Sequence, residues 1–327
     1  LSHTPMAVYA MEHGKHTAIE VPSAMNLEQC WGLIDLAEKN RLHCFILENC
    51  CYDYYELTAL NMAQQGLFGE ILHTTGGYVH CLDRLLRKPD PRWRVERMRI
   101  FRGDPYPTHG LGPVCQLLNI HRGDRLDFLV SVDTKAVVGR ELYADATGER
   151  PEEFKNGDQT STFIRTVNGK VINLFHNVVT PRPYHRGYSL VGTNGYVEKY
   201  PAENMMIGSH VEEGVNPNTL GAHKFMSDAE RNALLEKYRH PILTETEEMA
   251  KKVGGHGGMD YILDYRLVYC LRNGLPLDMD VYDLAEWCCP IELSAVSIEH
   301  NSAPVAVPDF TRGGWQKLSG YKHYWAE

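Results

Sequence analysis

Among the 327 residues there is no CxxC pair, no clustered run of lysine and arginine, and no apolar stretch approaching the ~20 residues of a membrane helix. The first absence argues against a zinc ribbon or a disulfide framework. The 9 cysteines are scattered, and the vicinal pairs Cys50-Cys51 and Cys288-Cys289 have neither spacing, so the set reads as small buried apolar residues. The second, with a formal net charge of -9, argues against a nucleic-acid partner, because phosphate backbones are held by clustered positive charge. A small neutral or mildly polar substrate fits better. The third leaves no membrane-spanning candidate. An initiator methionine is missing too: Leu1-Ser2-His3-Thr4-Pro5 reads as text from within a longer protein, which places any targeting signal upstream of it. What remains is an ordinary globular composition, 43% apolar and 23% charged, with 28 Gly and 17 Pro, enough for one or two domains.

The opening alternates helix and strand. Met6, Ala7, Ala10 and Met11 recur at helical spacing before Gly14, and residues 16–20 form a short strand pattern. The unit then repeats. Behind Asn26 as N-cap, Leu27, Cys30, Trp31, Ile34 and Ala37 share one helical face, and residues 43–47 are an apolar strand candidate. This rhythm implies a parallel, doubly wound sheet. A third helix is predicted over 54–65, closing at Gly66. From Glu70 the texture changes to strand patterns at 71–81, 128–133, 161–166, 170–179 and 188–191, separated by turns such as Asn168-Gly169, which predicts an antiparallel sheet. Helical patterns return at 228–238, 242–252, 257–273 and 280–297. The change near residues 66–70 marks the predicted domain boundary.

Glu20-Val21-Pro22 ends a strand where a parallel sheet offers its carboxyl edge to a ligand, and Glu48-Asn49 ends the next one. With Gly14-Lys15-His16 before them, these residues resemble the nucleotide-binding domain of the glucose-fructose oxidoreductase-like dehydrogenases. Those enzymes usually carry Glu-Lys-Pro here, whereas Val21 stands where the lysine would be. That departure is similar to glycoside hydrolase family 109. The resemblance extends through Glu48-Asn49-Cys50-Cys51-Tyr52-Asp53, Gly66-Leu67-Phe68-Gly69-Glu70, residues 106–113, Pro181-Arg182-Pro183-Tyr184, residues 254–260, residues 271–278 and Pro308-Asp309-Phe310-Thr311, nearly the whole chain.

The resemblance implies an α/β fold. Residues 1–68 would be the C-terminal half of a Rossmann domain truncated at its front, and residues 69–327 a substrate-binding α+β domain with a large, mainly antiparallel sheet. It implies NAD as cofactor, with His3, Glu20, Val21 and Asn49 at the cofactor, and Tyr78, Arg94, Tyr106, Pro107, Thr108, His109 and Tyr184 around the sugar. The implied reaction removes a terminal α-linked N-acetylgalactosamine. C3 is oxidised by NAD, the acidified C2 proton is lost, the aglycone is eliminated from C1, water adds, and the hydride returns, an exception to the usual two-carboxylate glycosidases. Tyr78 and His109 are the expected proton-moving pair, Tyr184 orients sugar or leaving group, and Glu48 is a further candidate. Histidine titrates near ~6.5, whereas tyrosine near ~10 needs help to act as a base. The partner is a small-molecule glycoside, and the resemblance is compatible with a homo-oligomer and with a periplasmic or secreted enzyme.

Plainer readings stand beside these. Asn49 could cap the next helix, Tyr78 and His80 could form a cross-strand polar face, and His109 lies in a Pro- and Gly-rich turn. The Gly254-to-Gly258 run lacks GxGxxG order and reads as a helix entry. His256, Asp260, Asp278, Asp280 and Asp283 fit no EF-hand or HExxH spacing, so no metal is expected there, only caps and helix surface. Without the Gly-rich turn that grips pyrophosphate, this stretch by itself is expected to bind NAD poorly and to expose a sheet edge. A sugar or inositol dehydrogenase of the same superfamily and a non-catalytic sugar-binding protein are the rival readings.

Overall fold

The computed structural model describes residues 2–88, 93–208 and 224–320; Leu1, which opens the sequence, lies outside them. Two strands, β1 (Thr17–Glu20) and β2 (Cys44–Leu47), pair in parallel with Thr17 opposite Cys44 and Glu20 opposite Leu47. Helices α1 (His3–Glu12) and α2 (Leu27–Asn40) pack together beside them. Helix α2 starts where it does because the Asn26 side chain accepts the Gln29 N–H at 2.8 Å, and it ends at Arg41 in the left-handed region. Its apolar face, Cys30, Leu33, Ile34 and Ala37, is buried. Asp53, not Asn49, caps α3 (Tyr54–Gln64), accepting from the Tyr55 N–H.

The second sheet has eight strands in the order β10-β4-β5-β6-β3-β7-β8-β9: β3 (Ile71–Val79), β4 (Leu126–Asp133), β5 (Thr160–Thr166), β6 (Val171–Asn177), β7 (Ser189–Gly192), β8 (Gly195–Glu198), β9 (Asn204–Ile207) and β10 (Val305–Ala306). All neighbours are antiparallel except the central pair β3 and β6, which run parallel and set Tyr78 opposite His176. The sheet is thus mainly antiparallel, as the resemblance implies, with one parallel pair at its centre. The exception arises because β3 and β6 are far apart in sequence and need no hairpin.

Two expectations need correction. The 280–297 pattern is two helices, α11 (Val281–Cys288) and α12 (Pro290–Glu299), because Pro290 cannot donate to the ladder of a helix already running and instead starts a new one. The stretch around His109 is not a turn: Thr108–Leu117 is helix α6, with Pro113 inside it. Between β3 and α6 lie the short α4 (Asp83–Leu86) and α5 (Trp93–Ile100), which with α7 (Val138–Thr147) build a small second core from Leu86, Val95, Met98, Leu142, Tyr143 and Val178. Helices α8 (Asp228–Lys237), α9 (Pro241–Val253) and α10 (Met259–Asn273) follow, the last entered through Gly254–Gly258 as expected. Among the described residues no helix is long and apolar enough to cross a membrane.

Candidate active site

Helix α6 crosses β3 at glycine on both sides. A Cβ on Gly76 would strike the Gly110 carbonyl, and one on Gly110 would strike the Gly77 backbone, so only glycine lets the two elements approach this closely. The residues next to these glycines are Tyr78 and His109, and the crossing brings their rings to 5.1 Å between centroids. Tyr106, one turn before α6, stacks on Tyr78 at 5.1 Å and 29° and lies 5.0 Å from His109. Three rings able to donate or accept protons therefore form one surface.

Behind it lies Glu48, fully buried at the end of β2, whose Oε1 meets His109 Nδ1 at 2.6 Å and also accepts the Cys50 N–H at 3.1 Å. Gly112 makes room for it, since a Cβ there would press on Glu48 Cγ. Burial alone would lower the His109 pKa, but Cys50 and Glu48 outweigh it and hold the imidazole well above its usual range. Burial alone would raise Glu48, but His109 outweighs it and the carboxyl falls below its usual range. The pair is imidazolium and carboxylate. Burial pushes the Tyr78 phenol up, with His109 and then Arg94 pulling the other way.

A cleft of about 520 Å³ is lined by Ser2, His3, Glu20, Val21, Pro22, Met25, Trp93, Arg94 and Tyr106. His3 Nδ1 is fixed against the Pro22 carbonyl at 2.9 Å, and the Tyr106 hydroxyl donates to the Val21 carbonyl at 3.2 Å, joining this cleft to the ring surface. The Arg94 guanidinium lies over the Tyr106 ring at 5.4 Å. His3, Glu20, Val21, Arg94 and Tyr106 are therefore in one cleft, and Tyr78 and His109 at its edge. Tyr184 joins through His80, whose ring is 5.3 Å from Tyr184 and 6.1 Å from Tyr78.

The remaining sequence candidates sit elsewhere. Asn49 donates to Asp260 at 2.7 Å and does not line the cleft. Pro107 and Thr108 are buried in the first turn of α6, beneath the surface that a sugar would touch. Glu48 reaches the site only through His109, so binding a hydroxyl directly is not its part.

Two features were not anticipated. Cys50 Sγ lies 3.4 Å from His109 Nδ1, so it is more than filler, and Cys81 is exposed rather than buried. Behind Tyr184 runs a buried charge network: Arg186 donates to the Tyr184 hydroxyl at 3.0 Å, to Asp53 at 2.7 Å and to Glu56 at 2.5 Å, and Lys199 reaches both carboxylates at 2.7 Å. The two-residue step from Tyr184 to Arg186, which puts both on one side of an extended chain, was the only clue available in sequence. Glu48, Cys50 and His109 bring a carboxylate oxygen, a sulfur and an imidazole nitrogen within 4.8 Å of one another, as do donors of His121, Asp280 and Asp283. Asp280 and Asp283 form a capping box on α11, Asp278 pairs with Arg266, and His256 pairs with Asp260.

The family model described as glycosyl hydrolase 109, C-terminal domain, matches residues 52–317. Glycosyl hydrolase family 109 protein 1 of Bacteroides fragilis (strain YCH46) is 59% identical over 328 residues, covering 99% of this chain and 71% of that protein. A glycosyl hydrolase family 109 protein of Porphyromonas gingivalis (strain ATCC BAA-308 / W83) is 59% identical over 329 residues, covering 100% and 70%. Among solved structures, an NAD binding oxidoreductase from Klebsiella pneumoniae shares the fold with a TM-score of 0.66 at 16% identity, over 94% of this chain and 77% of that one. Levoglucosan dehydrogenase in complex with NADH and levoglucosan does so with a TM-score of 0.62 at 16% identity, over 94% and 78%. At such identities the likeness is one of fold.

Proposed function

The chain belongs to glycosyl hydrolase family 109, and from that premise we propose that it is an NAD-dependent glycosidase acting on terminal α-linked N-acetylgalactosamine. Membership makes the coarser statement, a glycoside hydrolase; cofactor, sugar and mechanism are the proposal. The observation that carries it is the surface of Tyr78, Tyr106 and His109 at the edge of the cleft formed by His3, Glu20 and Val21.

That cleft fits a nicotinamide: it opens at the carboxyl end of β1, where parallel sheets receive nucleotides. His3, Glu20 and Val21 would hold the group. When bound, NAD supplies the reversible oxidation at C3 that acidifies the proton on C2, and the proton movements fall to the chain.

His109, kept protonated by Glu48, is the acid that gives its proton to the leaving oxygen. Tyr78 takes up and returns the sugar proton; burial pushes its phenol up, and the neighbouring imidazolium and Arg94 offset that only in part. Tyr184, whose oxygen is engaged by Arg186, presents its own proton outward and orients the sugar. A dehydrogenase reading draws on the fold neighbours solved with NADH. Against it, Val21 offers no proton at the position where the resemblance to the dehydrogenases implies a lysine.

The discriminating experiment supplies NAD and a nitrophenyl α-N-acetylgalactosaminide deuterated at C2. Nitrophenol release with loss of deuterium to solvent and no net NADH is expected. Retention of the deuterium, or cleavage undiminished after all nicotinamide is stripped away, would sink the reading.

A further inference from the structure

We propose that Glu48, Cys50 and His109 form a binding site for a thiophilic divalent cation of the zinc class, and that filling it switches off proton transfer at His109. The inhibitory half rests on the hydrolase reading; the site itself does not.

The ligand set is the one such a cation prefers: a thiol, an imidazole and a carboxylate, a combination that magnesium and calcium do not favour. The spacing is close to what binding requires. Zinc bonds of about 2.0 Å to nitrogen and oxygen and about 2.3 Å to sulfur place tetrahedral ligands roughly 3.3 to 3.6 Å apart. Cys50 Sγ and His109 Nδ1 already stand 3.4 Å apart. His109 Nδ1 and Glu48 Oε1, at 2.6 Å, share a proton that the cation would replace, and the pair opens by under about 1 Å to admit it.

The other oxygen of Glu48, Oε2, is buried, and the Thr108 hydroxyl is a hydrogen-bond partner of that carboxyl.

The charges balance. Coordination breaks the Cys50 S–H bond and expels the proton shared by His109 and Glu48, releasing both protons to solvent. Thiolate and carboxylate then neutralise the two positive charges, which a buried site demands. With Nδ1 occupied and the Glu48 charge engaged by the metal, His109 is no longer held as an imidazolium.

Cobalt(II) is the probe, because thiolate-to-cobalt charge transfer gives a near-ultraviolet band only when sulfur binds the metal. Titration of the wild-type chain should give a band saturating at one equivalent, displaced by zinc, absent from Cys50→Ser, and retained in Cys81→Ser, which removes the exposed cysteine. If Cys50→Ser fails to fold by circular dichroism, Cys50→Ala takes its place. No band in the wild type, or a band surviving loss of the Cys50 thiol, overturns the site. In glycoside assays micromolar zinc should cut the rate at least tenfold, reversibly with chelator. A cobalt band at Cys50 with undiminished cleavage overturns the inhibitory half. Metal-free protein that cleaves nothing counts against the hydrolase reading, and the band still decides the site.

Discussion

Glu48 has no exposed surface and acts on the site only through His109, so its contribution can be read from how it sets that imidazole. In Glu48→Gln the carboxylate charge is gone and only Cys50 still counters burial at His109, so its pKa falls. The sign follows. A reaction that needs the imidazolium is lost as pH rises through the His109 pKa, so the basic limb of the kcat profile should move to lower pH. Activity at neutral pH should fall roughly 100- to 10,000-fold, the range for an acid–base group. An unchanged basic limb would remove Glu48 from this role. Asp104 makes a different statement. It is buried, its carboxylate accepts the Tyr106 N–H at 2.9 Å, and burial, only partly offset by that bond, pushes its pKa up to about 7. Below about pH 4 both folded and unfolded chains hold the proton; between about 4 and 7 the unfolded chain gives it up first, so stability falls as pH rises, by at most about 4 kcal/mol. Asp104→Asn should therefore leave melting near pH 4 little changed and raise it near pH 8. Equal shifts at both pH values would mean that Asp104 is not neutral in the fold.

At the scale of elements the site depends on one crossing. Helix α6 carries two glycines and a proline within six residues, a composition that argues against a helix from propensity alone. Each glycine is explained by a neighbour that the local sequence does not reveal, Gly110 by the β3 backbone and Gly112 by Glu48. This is why 106–113 reads as a turn in sequence while α2 and β4 are plain: their apolar periods are set by their own residues, whereas α6 is held by partners some 30 to 60 positions away. The cleft residues were legible as a string of strand ends, and Tyr78, His109 and Tyr184 through family resemblance. Cys50 and the network of Arg186, Asp53, Glu56 and Lys199 were not, because pairing across 59 residues for Cys50 and 130 or more for the network leaves no local period. A methyl group at the crossing tests the argument. Gly110→Ala should destabilise by about 1–3 kcal/mol as the backbones part, and should lower kcat further than the lost stability explains, by separating His109 from Tyr78. A variant that melts lower yet turns over normally would show that the ring surface tolerates a wider crossing.

Across the whole molecule, the change of texture near residue 68 suggests two units, but the interior does not divide there. The main core runs from Ala7 and Met11 through Phe45, Leu111 and Ile164 to Trp287 and Phe310. Helix α11 packs on α2 and β2, the Trp31 ring lies 5.0 Å from Phe310, and the Glu292 carboxylate of α12 accepts the Leu27 N–H at 2.6 Å, capping the start of α2 from the far end of the sequence. The two-stranded parallel sheet is too small to be stable alone, so it stands only while helices such as α1 and α11 cover it. Unfolding should then be one transition, with far-ultraviolet circular dichroism and tryptophan fluorescence superimposing. Glu292→Ala, which removes the cap, should cost about 0.5–2 kcal/mol and lower that single midpoint by about 1 to 3 °C without splitting it. A separate early transition seen by fluorescence alone, or one created by Glu292→Ala, would mean that the opening helices and strands hold together without the C-terminal helices, and that the boundary near residue 68 divides the core as well as the sequence.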